Sequence, residues 1–294
     1  MNLVELKTFL TVIDEKGITA ASKRLNITQP AITKRLDNLR VSFGINQLFT
    51  RKSGELIISK DAQVLVPYAK NIIALIENAQ NEVTDHTNGK KGTITIGSGA
   101  GWITGILPHA IAKTIDNFPN IHVDFNVDTP DLQLNKLIDN KIDILFARKP
   151  ENLENFEYKS LRNDKYIVIA SKNHPLVNKI IELKDLTSYN FAIATTSRQT
   201  EDLFFNCFTS KNLSKPKISI TTNSLRMGLN CLYQSSLLLF TQANIFESYN
   251  DPGLDILNIR DFEITRETGV ITRKGYQSTF FNELMKNLIQ KRKE

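Results

Sequence analysis

The chain predicts two parts of different class: an all-α module built on a helix-turn-helix, and a C-terminal α/β domain reached through one long helix. Three observations carry this. Residues 18–39 hold two short helical segments around a tight turn, residues 61–85 carry a single apolar stripe, and beyond residue 92 strand and helix signals alternate to the end. A chain of 294 residues has room for about two domains.

The first helix shows an apolar stripe of Leu6, Phe9, Leu10 and Ile13, with Asn2 and Glu5 spaced as a capping box. A short segment from Ala20 to Leu25 follows, with Thr19 as the expected cap and small Ala20 and Ala21 for close helix approach. After the Asn26-Ile27 turn, Thr28 is a good N-cap, and Pro30 falls in the first turn, where a missing N–H costs nothing. Ile27 and Ile32 stand at the positions of a hydrophobic staple. Ile32, Leu36 and Leu39 recur at helical spacing and face a core, which leaves Pro30, Thr33, Lys34, Asp37 and Asn38 on the other side. Such a polar helix face fits a DNA major groove. The candidate DNA contacts are Thr28, Gln29, Pro30, Thr33, Lys34 and Asn38, with Arg51 and Lys52 ahead of a Ser53-Gly54 turn for the backbone or minor groove. Asp37 would repel phosphates, so it is expected to pair with Lys34 or a neighbouring Arg, or to accept from a cytosine amino group.

This stretch resembles the winged helix-turn-helix of LysR-type transcriptional regulators. The resemblance extends through Leu39, Phe43-Gly44-Ile45, Leu48-Phe49, Arg51 and the Leu56–Ser59 strand, which follow the family's recognition-helix exit and wing. Departures fall at Lys16, where the family usually has Gly; at Asp37 and Asn38, where basic residues are common; at Arg40 in place of Glu; and at Ala62 in place of Gly. They bear on base preference and leave the fold unchanged. Charge agrees with a nucleic-acid partner. Residues 1–60 hold ten Lys/Arg against five Asp/Glu, a net +5, whereas the remainder holds 27 against 26.

Residues 61 to 85 read as one helix with a seam of Leu65, Tyr68, Ile72, Leu75, Ile76, Ala79 and Val83. Pro67 means that the helix starts near Val66 or kinks there. The stripe packs on another helix or on its own domain; the resemblance implies the first, an antiparallel linker helix that makes a dimer, with a tetramer beyond it. A polar, Gly-bearing break at 86–92 is the clearest linker. The expected domains are 1–60, 61–87 and 88–294.

The α/β part alternates strand 93–97, helix 103–117, strand 121–127, helix 132–140 and strand 142–147, a parallel pattern. A second set follows: strands 166–170 and 191–194, helix 200–209, strand 218–221, helix 225–233 and strand 237–240. Strand 269–272 and helix 279–290 then close the chain. Two α/β lobes, about 91–161 with 267–294 and 162–266, resemble the periplasmic-binding-protein-like effector domain of the same family. Ligands of such sheets sit beyond the carboxyl ends of the strands, at helix N-termini. The expected effector contacts are Ser98, Gly99 and Trp102 in a Gly-rich turn, Thr129, Arg148, and, across the cleft, Thr195, Thr196, Ser197 and Arg198. Hydroxyls, amides and Arg198 suggest a small anion such as an organic acid or acidic sugar derivative. Trp102 either walls the pocket or fills the lobe core, and Arg148 either meets a ligand or is a solvated surface charge.

Other classes find little support. The Gly-rich turn has the spacing GxGxG and not the GxGxxG of a dinucleotide site, and GxSxG, HExxH and GxxxxGK[ST] are missing. His86, His109, His122 and His174 show no metal-ligand spacing, so neither cofactor nor metal is expected. Cys207 and Cys231 are too far apart for a CxxC site and read as buried thiols. No signal peptide or membrane span is legible, which argues against an exported solute-binding protein and for a cytoplasmic one. The resulting expectation is a homo-oligomeric regulator of double-stranded DNA set by a small-molecule effector. The alternatives are a regulator whose cleft serves assembly alone and, remotely, an enzyme.

Overall fold

A computed structural model describes residues 2–52, 55–88, 92–194 and 197–291. It divides into two compact units, Met1–Gly92 with Ile138–Lys141 and Gly275–Thr279, and Thr93–Leu137 with Ile142–Lys274 and Phe280–Glu294.

The first unit opens with α1 (Leu3–Asp14), started by the expected reciprocal cap: Asn2 accepts from the Glu5 N–H at 3.0 Å and Glu5 accepts from the Asn2 N–H at 2.9 Å. Helix α2 (Ile18–Leu25) begins two residues earlier than expected. Thr19 lies inside it, Gly17 stands at the N-cap without a side-chain bond, and Asn26 ends it in the left-handed region at φ 52°. Asn tolerates that backbone because its short polar side chain carries little steric penalty there. Helix α3 (Gln29–Ser42) starts at Thr28, whose hydroxyl accepts from the Ala31 N–H at 3.4 Å. Ile32, Leu36 and Leu39 are buried with Leu6, Phe9, Val12 and Ala21, so the helical spacing read from the sequence selects the inward face. Strands β1 (Phe49–Lys52) and β2 (Glu55–Ile58) form an antiparallel wing.

Helix α4 (Lys60–Asn88) is started by Ser59, which accepts from the Ala62 N–H at 3.1 Å. The start near Val66 is therefore incorrect, and Pro67 lies inside the helix. The expected single seam also divides. Leu65, Ala69 and Ile73 are buried in this unit's own core, whereas Tyr68, Leu75 and Val83 are 55–64% exposed. The Leu65–Ile72 and Tyr68–Leu75 spacings are both heptad-like, and the sequence pattern merged two faces into one.

The second unit alternates β3 (Gly92–Ser98), a 3-10 turn (Ala100–Trp102), α5 (Ile106–Asp116), β4 (Ile121–Val127), α6 (Pro130–Ile138) and β5 (Ile144–Arg148). Then come β6 (Phe156–Ser171), β7 (Ile180–Ile181), a 3-10 helix (Leu183–Ser188), β8 (Asn190–Ile193), α7 (Arg198–Thr209), β9 (Lys217–Thr221), α8 (Leu225–Leu232) and β10 (Leu238–Gln242). The chain ends through α9 (Ala243–Tyr249), β11 (Leu254–Ile256), β12 (Asn258–Ile259), β13 (Ile264–Arg273) and α10 (Thr279–Lys291). The main sheet has the order β4-β3-β5-β13-β6-β10-β8-β9, with β11 also on β6.

The sheet is mixed rather than parallel. Strands β3 and β5 are parallel, as are β10, β8 and β9, but β13 runs antiparallel to both β5 and β6, and β6 antiparallel to β10. The sequence pattern missed Phe156–Lys165 because alternation stops after Tyr158: Leu161 falls out of phase at a bulge, and residues 162–165 are all polar. In the long β6–β13 pair the register shifts between Thr268 and Gly269: Thr268 faces Arg162, Gly269 faces Ser160, and Leu161 is the extra residue. A Cβ on Gly269 would lie 2.1 Å from the Lys159 carbonyl oxygen. That oxygen and the next nearest atoms, of Lys159 and Ser160, are all backbone and cannot swing aside.

Gly269→Ala is therefore expected to destabilise the C-terminal part by at least about 1–3 kcal/mol. Denaturant unfolding followed by far-UV circular dichroism checks this, and an unchanged midpoint would show that the bulge can open to admit the methyl group.

Candidate nucleic-acid interface and ligand cleft

The outer side of α3, the wing and the α1–α2 turn enclose one open groove of about 1190 Å³. Gln29, Pro30, Thr33, Lys34, Asp37 and Asn38 line it from the helix, Arg51 and Leu56 from the wing, and residues 15–20 from the turn. Thr28 is spent on the cap, and the side chain of Lys52 lies outside the described residues. Three polar groups on α3 are already engaged. Thr33 donates to the Gln29 carbonyl at 3.2 Å, Asn38 donates to Glu5 at 3.3 Å, and Asp37 pairs with Arg40 at 3.5 Å, the neighbouring-Arg option among those expected. Arg24 pairs with Glu15 at 2.5 Å, and Arg35 donates to Thr8 at 3.3 Å. Among the described residues, Lys16, Lys34 and Arg51 line this groove with no carboxylate within ion-pair distance. Two unpaired ammoniums and a guanidinium in one groove suit DNA, whose phosphate oxygens and acceptor base edges both take such donors.

In the second unit a cavity of about 100 Å³ lies where β3, β5, β6, β10 and β13 meet. Gly99, Trp102, Arg148 and Ser197 line it, as expected from the strand-end loops. Trp102 does both things left open for it: it is 2% exposed, packs on Phe146 at 5.1 Å, and walls the cavity. Arg148 is already paired with Asp131 at 2.6 Å, so it is neither a bare surface charge nor a free cation. Ser98 is fully buried in β3 behind the lining, and Thr129 lies off it, its N–H donating to Asp128 at 2.8 Å. Arg198 is exposed on the first turn of α7 and does not line the cavity, because that turn directs Thr200 inward instead. Thr195 and Thr196 lie outside the described residues.

The sequence reading missed the groups on the paired long strands. Asp164, 4% exposed, pairs with the Arg162 Nε at 2.7 Å and accepts from Gln242 at 3.2 Å and Thr268 at 3.4 Å. Burial pushes the Asp164 carboxyl up and the Arg162 guanidinium down, and their mutual attraction opposes both shifts. The Arg162 guanidinium also stacks 3.9 Å over the Trp102 ring and donates to the Gly101 carbonyl. Arg266 donates to the Thr200 hydroxyl at 2.9 Å and the Gln199 carbonyl at 3.0 Å, 5.5 Å from the Tyr166 ring. A signal did exist: Asp164 shares the strand face of Tyr166, Val168 and Ala170, so period-two counting would have buried it.

Both cysteines are half-buried free thiols. Cys207 donates to the Phe204 carbonyl at 2.8 Å, and burial pushes its pKa up to about 12. In native protein at pH 8, Cys207 is therefore expected to resist iodoacetamide and to react readily after denaturation. Peptide mass spectrometry reads both states, and fast native labelling would show an activated thiolate instead.

A family model described as bacterial regulatory helix-turn-helix protein, lysR family, matches residues 3–63, and one described as LysR substrate binding domain matches residues 87–292. A probable RuBisCO transcriptional regulator of Phaeodactylum tricornutum is 25% identical, over 97% of this chain and 96% of its own. Full-length BenM shares 23% identity with a TM-score of 0.60, over 99% of this chain and 96% of that one. CbnR, solved as a full-length chain in complex with its target DNA, shares 17% identity with a TM-score of 0.63, over 99% and 100% of the two chains.

Proposed function

The chain belongs to the LysR family of bacterial transcriptional regulators, and we propose that it reads a two-fold DNA site through paired α3 helices under control of a small anion held in the cavity at β6 and β13. It is a DNA-binding regulator and not an enzyme. The observation that carries the DNA half of the proposal is the set of cations without ion pairs, Lys16, Lys34 and Arg51, in a groove walled by α3, the wing and the α1–α2 turn. For the effector half it is the cavity itself, placed between two groups of strands that, among the described residues, are joined by the long β6–β13 pair.

Mechanistically, a ligand that prefers one angle between the two strand groups biases the lobes toward it. In an oligomer that contacts itself through those lobes, the bias changes the spacing of DNA-binding dimers and the bend of the promoter. Coupling of about 1–3 kcal/mol is enough to change occupancy of a weak half-site while a strong one stays bound. The exposed apolar stripe of Tyr68, Leu75 and Val83 on α4 supports self-association through that helix.

Footprinting of the purified protein on fragmented host DNA at physiological salt tests the proposal directly. Protected sites of two-fold symmetry near promoters are expected; diffuse protection without sequence preference would leave only a nonspecific binder. On such a site Lys34→Ala should cost about 1–3 kcal/mol and relax sequence preference. Arg51→Ala should weaken specific and random DNA alike and lower the salt slope by about 1. Equal losses on both DNAs for Lys34→Ala would assign that residue to phosphate alone.

A further inference from the structure

The three helices of the N-terminal module end in the same hydrogen-bonded turn, and one of them ends on a residue unsuited to it. Past α1 the Lys16 N–H donates to the Ile13 carbonyl and the Gly17 N–H to Val12, both at 3.2 Å. Past α2, Asn26 donates to Lys23 and Ile27 to Ser22; past α3, Gly44 donates to Val41 and Ile45 to Arg40. The residue at the head of each turn is left-handed: Lys16 at φ 53°, Asn26 at 52° and Gly44 at 64°. Glycine has no Cβ to clash there, and the short polar side chain of asparagine lowers the penalty. Lysine has neither property. Among the described residues, the other non-glycine residues at positive φ are Asn26, Asn140, Asn178, Asn212, Asn250 and Asp261, so Lys16 is the exception.

A glycine stands next to it, where none is needed. Gly17 has φ 176°, an extended backbone open to any residue, and a Cβ there would meet nothing nearer than the Glu15 carbonyl oxygen at 4.0 Å. The reverse order, glycine before lysine, would therefore relieve the turn at no steric cost. Position 16 differs from the heads of the other two turns in its surroundings: Lys16 lines the groove of α3 and the wing, and Asn26 and Gly44 do not. Its side chain is exposed, and the adjacent Glu15 carboxylate is held by Arg24 at 2.5 Å. We propose that Lys16 is a DNA-phosphate contact, placed by a left-handed helix end that costs the module stability. Base edges are reached from α3; Lys16 enters from the turn beside it, where an ammonium meets phosphate whatever the sequence. Backbone strain held at a binding surface has here a charge to present. The inference rests on the reading of this groove as the DNA interface.

Stability and DNA affinity should then move in opposite directions on substitution. In the full-length protein, Lys16→Gly and Lys16→Asn remove the ammonium and leave a residue that suits the turn. Amide hydrogens of α1 should exchange no faster in either variant, and roughly threefold or more slowly in Lys16→Gly. Both variants should bind a footprinted site roughly three- to tenfold more weakly at about 0.1 M salt, with a salt slope lower by about 1 for each bound module. Random DNA should lose by the same factor, and Lys16→Arg should keep both affinity and slope. Unchanged affinity in either neutral variant, a loss confined to the specific site, or faster exchange in Lys16→Gly would overturn the inference. Arg51→Ala, run in parallel, keeps the two questions apart. Weaker binding in Arg51→Ala with none in the Lys16 variants defeats the Lys16 contact alone. Unchanged binding in Arg51→Ala as well, or diffuse protection by the unmodified chain, defeats the reading of the groove beneath it.

Discussion

The antiparallel pairing of β6 with β13 is the constraint on which the C-terminal part depends. Among the described residues, these two strands are where the β4-β3-β5 group and the β10-β8-β9 group of the sheet are joined in hydrogen-bonded order. Strand β5 bonds to the C-terminal half of β13, and β10 bonds to the later half of β6, so the long pair passes from one group to the other. The change occurs at the bulge, where Gly269 lets two backbones approach more closely than any side chain permits. Beside the bulge, Thr268 donates to Asp164, and Asp164 holds Arg162, which reaches the Gly101 carbonyl and covers Trp102. The buried ion pair is costly to desolvate, and its hydrogen bonds to Gln242 and Thr268 offset that cost. In exchange it fixes the wall of the cavity to the strands that carry both lobes, so that whatever fills the cavity presses on the crossover itself.

The N-terminal module follows a different logic. Its recognition helix is held from behind by Ile32, Leu36 and Leu39 and from the side by Glu5, which serves two helices at once. Glu5 takes the Asn2 N–H to cap α1 and the Asn38 amide to fix α3. One carboxylate thereby couples the cap to the DNA-facing helix. Both acidic groups of this face are taken by arginines, Asp37 by Arg40 and Glu15 by Arg24, which leaves the cations Lys16, Lys34 and Arg51 in the groove to meet DNA.

What could be read in the sequence was whatever rests on local chemistry. The Asn2–Glu5 box, the Thr28 cap and the inward set of α3 depend on residues within one or two turns of each other, and the structure contains all three. The Thr19 cap failed because α2 begins at Ile18, one residue ahead of it, with Gly17 supplying only backbone. The seam of α4 failed for a different reason: heptad spacing cannot distinguish a residue that packs on its own module, such as Leu65, from one that faces outward, such as Tyr68. At the cavity the loops were found and the strands were not. Gly99 and Ser197 announce themselves as turn and cap residues, whereas Arg266 and Asp164 reach the cavity only because distant strands pair at a particular register. Nothing in either segment alone encodes that register.

The exposed face of α4 completes the physical argument for an assembly. Tyr68, Leu75 and Val83 are each more than half exposed on a helix whose opposite side, Leu65, Ala69 and Ile73, is fully used in its own core. A helix of 29 residues extends about 44 Å at 1.5 Å per residue, well beyond the three-helix core that covers its first turns. Apolar residues repeated along that length, with water on them in the single chain, gain free energy from any matching surface at about 25 cal/mol per Å² removed from solvent. An identical stripe on a second copy supplies such a surface with the same length and spacing, and an antiparallel pair makes it two-fold. That symmetry is also the one a pair of recognition helices needs to read a palindromic site. The proposed self-association through α4 and the proposed two-fold reading of DNA would both rest on this single stripe of residues.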